Sequence, residues 1–385
     1  MEMYDKSISK SKKDALEFAE ASRIAEWKSR SFVSQLFDGA VKWDIIHPFP
    51  EQTGEEKKAG DEYLEKVEKF LKENLNPDEV DRTYEIPSNV MKGLIEMGAC
   101  AIKIPKQYGG LGFSQMNYNR IIHLIASYCG STAVLLSAHQ SIGVPLPLTL
   151  FGTEEQKKKF LPKFRDGAIS GFALTEQDAG SDPSKLKTTA TPTEDGNYYL
   201  LNGSKLWCTN GNVANVIVVM AQTPPKIVDG KERKQITAFI VETNSPGFEV
   251  AYRCNFMGLH GMQNGVIKFN NLKVPKENIL GEVGGGLKLA FITLDTGRLT
   301  LPAAGTGVSK FCLSVARKWA KMRIQWGTPV GEHEMVATKL SKIAANVFAM
   351  ESIWKLTSCF ADDKNKDIRL EAAMAKLFCS ETAWK

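Results

Sequence analysis

The sequence predicts an α+β multi-domain chain: an N-terminal all-α domain, a small middle β-barrel or sandwich, and a C-terminal helical bundle that reads as incomplete. Three observations predict it. Apolar residues recur at three- and four-residue spacing through roughly the first 167 residues. From Ala168 to Phe269 the period falls closer to two, between Gly and Asn turns. After Gly281 the pattern returns to long helices. The expected divisions are a helical extension at 1–58, then domains at 59–167, 168–280 and 281–385.

Composition narrows the function classes. A chain of 385 residues with 43% hydrophobic and 24% charged residues is long enough for two or three cores. The net charge of +5 is spread along the chain and forms no basic stripe, which argues against nucleic acid. Seven cysteines, odd in number and never spaced as CxxC, argue against a disulfide framework or zinc site and for a reducing compartment. The five histidines fall on separate elements, so no metal site is expected. No apolar run approaches the length of a membrane span, and the first thirty residues lack a signal-peptide core.

In order, Ala15 to Leu36 reads as a helix, which His47-Pro48-Phe49-Pro50 stops. Leu64, Val67, Leu71 and Leu75 form one face of a helix from Asp61, ended by Asn76-Pro77. Pro87 opens a short helix, Ile102 to Ile104 is extended, and Ser114 caps the next helix. A further apolar helix spans about Thr132 to Leu150, and Thr153-x-x-Gln156 is a capping box for a basic helix before Pro162. In the β region Asp195-Gly196, Asn202-Gly203 and Asn210-Gly211 read as turns, and Pro224 to Lys234 as a polar loop. Between them, Val216 to Ala221 and Ile236 to Val241 suit strands covered on both faces. The last helices are expected at about 287–323, 334–360 and 368–385, with Pro302 kinking or breaking the first. Leu370, Met374, Leu377 and Phe378 leave the final helix an unpartnered apolar face, which reads as a truncated chain.

Chemistry concentrates in two stretches. Leu174-Thr175-Glu176-Gln177-Asp178-Ala179-Gly180-Ser181-Asp182 takes an apolar strand into a small-residue turn, where amides and hydroxyls can approach a polar ring or phosphate. Trp207-Cys208-Thr209-Asn210-Gly211 adds a flat indole and a hydroxyl. Together they suit a planar heterocycle.

Both stretches resemble the flavin-binding signatures of the acyl-CoA dehydrogenase family. The likeness continues, in the family's order, through Ile104-Pro105-Lys106-Gln107-Tyr108-Gly109-Gly110-Leu111-Gly112, the segment Leu272 to Gly281, and Arg323-Ile324-Gln325-Trp326-Gly327. Ala138-His139-Gln140-Ser141-Ile142-Gly143 and Ala383-Trp384-Lys385 are most similar to the very-long-chain branch.

The resemblance implies FAD as cofactor. Phe172, Leu174, Thr175, Gly180 and Ser181 would border the flavin, with Trp207, Cys208 and Thr209 walling it. Arg323, Gln325 and Trp326 would cross to the FAD of a partner subunit, in a homodimer or dimer of dimers. Ser181, Leu294, Asp295, Gly297 and Arg298 would meet the acyl-CoA, and His139 would stand near its acyl pocket. Glu176 matches an acidic position whose role is structural. In Met262-Gln263-Asn264-Gly265 the hydroxyls common in the family are absent.

The implied activity is α,β-dehydrogenation of a fatty acyl-CoA to the trans-2-enoyl-CoA, with electron-transferring flavoprotein as reoxidant. The implied location is the cytoplasm of a prokaryote or the mitochondrial matrix of a eukaryote. No catalytic residue is expected in this chain: some relatives carry their Glu at the position of Gly297, and the commoner one falls after Lys385, so 1–385 is expected to be inactive. An acyl-CoA oxidase, a flavin monooxygenase and a non-catalytic flavin- or acyl-CoA-binding fragment are the alternatives.

Overall fold

The computed structural model describes residues 30–228, 231–363 and 365–385. The expected helix from Ala15 therefore lies mostly outside the described residues; its end appears as α1, Phe32–Phe37. The helical layer continues with α2 (Gly54–Asn74), α3 (Pro77–Thr83), α4 (Ser88–Glu96) and α5 (Gln115–Tyr128). Asn76 ends α2 and also starts α3, its side chain accepting from the amides of Asp78 and Glu79. Ser114 caps α5 as expected, by accepting from Asn117 N at 3.2 Å. Residues 101–104 form bends instead of an extended strand. Val67, Leu71, Leu94, Ile102, Ile121, Ile122 and Ile125 bury the facing surfaces of this layer.

The apolar stretch after α5 is not one helix. It is α6 (Gly130–Ser137), a π-helical turn (Ala138–Ile142) and α7 (Pro145–Phe151). Gly143 allows the break, because a Cβ there would lie 2.3 Å from both the His139 carbonyl and Ser170 Oγ. Contrary to the sequence reading, the 22 residues Gly130–Phe151 are by length and composition apolar enough to cross a membrane. Most of that surface is packed inside the protein. The capping box is formed in α8 (Glu154–Arg165), which runs through Pro162 instead of stopping before it.

Among the described residues one eight-stranded sheet follows. Its strands are β1 (Ser170–Ala173), β2 (Thr189–Pro192), β3 (Tyr198–Thr209), β4 (Val216–Val228), β5 (Lys231–Glu242), β6 (Phe248–Arg253), β7 (Asn264–Pro275) and β8 (Ile279–Leu280). They lie in the order β6-β7-β3-β2-β4-β5-β8, with β1 parallel to β4. On β4 and β5, Val216, Val218, Met220, Ala238 and Ile240 pack against Phe160, Phe164, Leu287 and Leu289 of the helices. The alternate residues Ile217, Val219, Ala221, Phe239 and Val241 share a second cluster with Leu201, Ile267, Leu272 and Val274. The sheet thus curls over its own core, and the apolar runs are covered on both faces as expected. Each such buried side chain contributes about 1.5–3 kcal/mol.

Two turn assignments change. Residues 224–228 and 231–234 are strand and not loop: β4 and β5 stay paired through Lys226↔Arg233 and Val228↔Lys231, past a register shift that accommodates Pro224 and Pro225. Asn202-Gly203 is a bulge inside β3, where Gly203 has φ +144° and a Cβ would lie 2.6 Å from Thr188 Oγ1.

The chain then returns to helices α9 (Gly286–Gly297), α10 (Thr300–Met322), α11 (Glu334–Asp362) and α12 (Arg369–Trp384). The predicted 287–323 helix breaks at Arg298-Leu299, which leaves Pro302 in the first turn of α10, where a missing amide costs little. A hairpin of β9 (Ile324–Gln325) and β10 (Thr328–Pro329) separates α10 from α11. Helix α10 packs along α5, so closely that a Cβ on Gly307 would lie 2.2 Å from the His123 carbonyl. Asp362, the last residue of α11, ties that helix to the start of α5 by accepting from Gln115 N at 2.7 Å and Met116 N at 3.1 Å. Glu371 of α12 accepts from Ser31 Oγ at 2.6 Å and Val33 N at 3.0 Å, fixing α1 to the last helix.

Candidate functional site

Strand β1 runs beside the far end of β3 and brings the two chemistry-bearing stretches together. Leu206 N donates to Thr175 O at 2.8 Å, and Cys208 Sγ to Phe172 O at 3.6 Å. Cys208 is buried, and burial pushes its thiol up to about 12, so it packs the seam as an inert group. Trp207 departs from the rest of the strand. Its φ of +55° turns it out of β3, and it is 58% exposed. Asn264 of β7 supports that turn, donating to Trp207 O and to Thr209 Oγ1, each at 3.1 Å. Since the Thr209 oxygen accepts, its proton is left to donate outward. Asn210, at φ +64°, ties the following turn to Leu135 O and Ser170 O.

The loop after β1 is held from behind. Glu176 Oε1 accepts from Lys205 Nζ at 2.7 Å, Thr188 Oγ1 at 2.6 Å and Thr188 N at 3.1 Å, while Oε2 accepts from Lys187 N at 2.5 Å. Lys205 Nζ also reaches Leu174 O at 3.2 Å. Burial pushes the Glu176 carboxyl up, but Lys205 and the bonds from Thr188 and Lys187 outweigh it and hold it below its ordinary value. Burial brings the Lys205 ammonium down to about 8 against the pull of that carboxylate. At the loop's tip Gly180 and Ser181 are exposed, and a Cβ on Gly180 would meet nothing within 4 Å.

The inner end of β1 rests on the π turn. Ser170 N donates to His139 Nδ1 at 3.0 Å, so the ring proton sits on Nε2 and donates to Cys100 O at 2.8 Å. His139 is fully buried, and burial holds it down at about 4, so it is a neutral structural post at the base of β1. The same π turn packs on α9. Gly297 faces it closely: a Cβ there would lie 2.5 Å from Ile142 Cγ2. Leu294, Asp295 and Arg298 are half-buried on this helix, with Arg298 Nη1 2.5 Å from Asp295 Oδ1.

Arg323, Gln325 and Trp326 are not brought to the seam. They sit on the β9–β10 hairpin, which packs against α10 and the turn before α11. Trp326 has φ +51°, is 89% exposed and meets the His333 ring edge-on at 5.5 Å. The Arg323 side chain is exposed and makes no hydrogen bond or ion pair among the described residues.

Models of three domains match in succession: acyl-CoA dehydrogenase N-terminal domain at residues 58–168, middle domain at 171–272 and C-terminal domain at 284–385. The structure of butyryl-CoA dehydrogenase from Megasphaera elsdenii superimposes with a TM-score of 0.80 at 31% identity, over 87% of this chain and 86% of that one. The chain belongs to the acyl-CoA dehydrogenase family. Probable acyl-CoA dehydrogenase FadE10 of Mycobacterium tuberculosis is 48% identical over 95% of this chain and 56% of its own length. Mouse very long-chain specific acyl-CoA dehydrogenase, mitochondrial, is 35% identical over 94% and 55%. The chain thus spans about half the length of these curated relatives.

For a family of flavoproteins, the fit of this member to a flavin rests on its own atoms. The Trp207 indole stands out of its strand, the Thr175 and Ser181 hydroxyls make no hydrogen bond among the described residues, and space is open over Gly180. These groups fit a planar ring bearing hydrogen-bonding edges. Among the described residues no cluster of His, Cys, Asp and Glu is placed to hold a metal.

Two supports of this candidate site carry no signal in the sequence alone. Asn264 holds Trp207 and Thr209 in a segment read only for its absent hydroxyls. Lys205 stands in a strand with nothing local to mark it. Its signal was a charge at an inward position of β3, legible once the register is known. His139 is a post under β1, with 0% exposure.

Proposed function

We propose that this chain binds FAD at the β1–β3 seam and belongs to an enzyme that dehydrogenates a fatty acyl-CoA thioester to the trans-2-enoyl-CoA. The observation that carries the reading is the outward-turned Trp207, with the Thr175 and Ser181 hydroxyls that have no partner among the described residues. Bound FAD would supply the acceptor for the hydride that leaves the β-carbon. The chain's own part is to hold and orient. Trp207 forms an apolar wall and sheds water from one face, while Thr175, Ser181 and Thr209 offer hydrogen bonds to the ring edge. Cys208, Phe172 and Leu174 back the site with packing. Leu294, Asp295, Gly297 and Arg298 lie along the acyl-CoA. Asp295 is engaged by Arg298 and Glu176 by Lys205, so neither is free to take the α-proton. A Glu at Gly297 would have to displace Ile142 first.

In this reading Arg323, Gln325 and Trp326 grip the FAD of a second subunit, since the planar guanidinium meets phosphate with two hydrogen bonds. Electron-transferring flavoprotein is the proposed reoxidant.

Titration of the purified chain with FAD, followed by visible absorbance, tests the cofactor. A yellow protein with stoichiometric flavin is the expected result, and a colourless one that retains NAD overturns the reading. Anaerobic bleaching of that flavin by saturated acyl-CoAs of several lengths tests the reaction. Oxygen consumed during turnover in air would assign an oxidase or monooxygenase instead.

A further inference from the structure

We propose that Lys205 is a positioning residue for the 174–188 loop, setting the place of Thr175 and Ser181 from behind. This rests on the flavin reading of the seam. The ammonium is wholly buried and bridges two points of the loop, Leu174 O at 3.2 Å and Glu176 Oε1 at 2.7 Å. Glu176 extends the tie to the loop's return by accepting from Lys187 N, Thr188 N and Thr188 Oγ1. Its own backbone pairs with Ala179 across the turn, at 2.9 and 3.2 Å. One charge on β3 therefore ties both stems of a loop whose tip, Gly180 and Ser181, is exposed.

The placement explains why a buried ion pair stands here. Main-chain groups of the loop meet the sheet at its two ends, Thr175 O accepting from Leu206 N and Thr188 O from Gln222 N, with Gln222 Nε2 on Leu186 O; among the described residues the backbone of 176–185 makes no bond to the sheet. An apolar pair at 176 and 205 would fill the same volume without directional bonds to Leu174 O, Lys187 N and Thr188 N. The pair trades stability for a defined loop path. Thr175 lies between its two anchors, Leu174 and Glu176, so its hydroxyl is aimed by the same bonds. Lys205 itself makes no contact outside the fold, which separates it from the groups that would touch FAD.

The test compares the wild-type chain with Lys205→Met, which keeps the side chain's length and removes its charge. Two readouts are taken: FAD affinity by flavin titration, and amide hydrogen exchange of the apo chain, which needs no cofactor. The expected result is at least a tenfold loss of FAD affinity, an altered visible band of the bound flavin, and faster exchange confined to 174–188 and 206. Unchanged affinity and exchange, or loss of protection spread evenly over α2 and α5 as well, overturns the proposal. Should Lys205→Met not fold, Lys205→Met/Glu176→Gln removes both charges at similar volume and is measured the same way. It is expected to fold and still to bind FAD at least tenfold more weakly. If wild type itself takes up no FAD, the flavin reading fails, and the exchange pattern alone decides whether Lys205 positions the loop.

Discussion

At the β1–β3 seam the polar groups point inward. Lys205 and Glu176 show 0% and 7% side-chain exposure, His139 is sealed, and what faces solvent is an indole and three hydroxyl-bearing residues. The β9–β10 hairpin is built the other way round. Trp326 is 89% and Ile324 58% exposed, and the cation of Arg323 faces solvent with no internal partner among the described residues. The first region is stabilised by its own chain and presents a shaped surface. The second contributes little to its own fold, so its residue types are explained by something outside it. Stability and ligand affinity should therefore separate between the two regions.

The largest effect is expected where the inward charges are broken. Glu176→Leu leaves the Lys205 ammonium buried and unpaired, which costs about 3–5 kcal/mol. Urea unfolding of the two chains measures it. A loss under about 1 kcal/mol, the value of an exposed pair, would erase the distinction drawn between the regions.

A second prediction uses pH. His139 is held at about 4 in the fold by burial, below its ordinary 6.5, so the folded chain keeps it neutral while the unfolded chain protonates it. Its contribution is present above pH 6.5 and is lost as pH falls toward 4, about 2 kcal/mol between pH 7 and 5. His123, also held at about 4 by burial and by nearby Lys310, adds a similar loss. His139→Gln should roughly halve the fall in urea midpoint between those pH values. Gln can still accept from Ser170 N and donate to Cys100 O. An unchanged fall would mean that His139 is protonated inside the fold.

The same contrast explains what the sequence made legible. Helix α5 and the capping box at Thr153 could be read because their signals are local: a period, a cap and a spacing of three residues. The both-faces-covered strand at Val216 was equally local. The seam's outer groups were readable as a motif. Of their supports only Glu176 was readable, as the structural acid of the motif; Lys205 and Asn264 were not, because they are distant from it in sequence and meet the site only through the β3–β7 and β1–β3 packing. The π turn at 138–142 was missed for a related reason. Its helical composition is unbroken, and the close approach of Ser170 to Gly143 is a tertiary fact. The stretches 224–228 and 231–234 misled because two prolines and several charges imitate a loop, whereas a register shift in β4 accommodates the prolines within the β4–β5 pairing.

The smallest stability effect belongs to the hairpin, and there the comparison is sharpest. Arg323→Ala removes an exposed side chain with no partner among the described residues, so unfolding free energy should move by no more than about 0.5 kcal/mol. If Arg323 reaches FAD held by a second subunit, the same change removes a charge-assisted bond worth about 1.5–3 kcal/mol, or roughly one to two decades in affinity. Which subunit's FAD is gripped can be read by mixing. Arg323→Ala co-expressed with Lys205→Met gives dimers in which one site combines an intact loop from the first subunit with an intact Arg323 from the second. Across subunits, such mixed dimers should regain tight FAD binding at one site in two. Within one subunit, each site keeps one defect and no tight site returns. Unchanged affinity in Arg323→Ala alone would make the hairpin an ordinary surface, and the contrast with the seam would then be one of burial only.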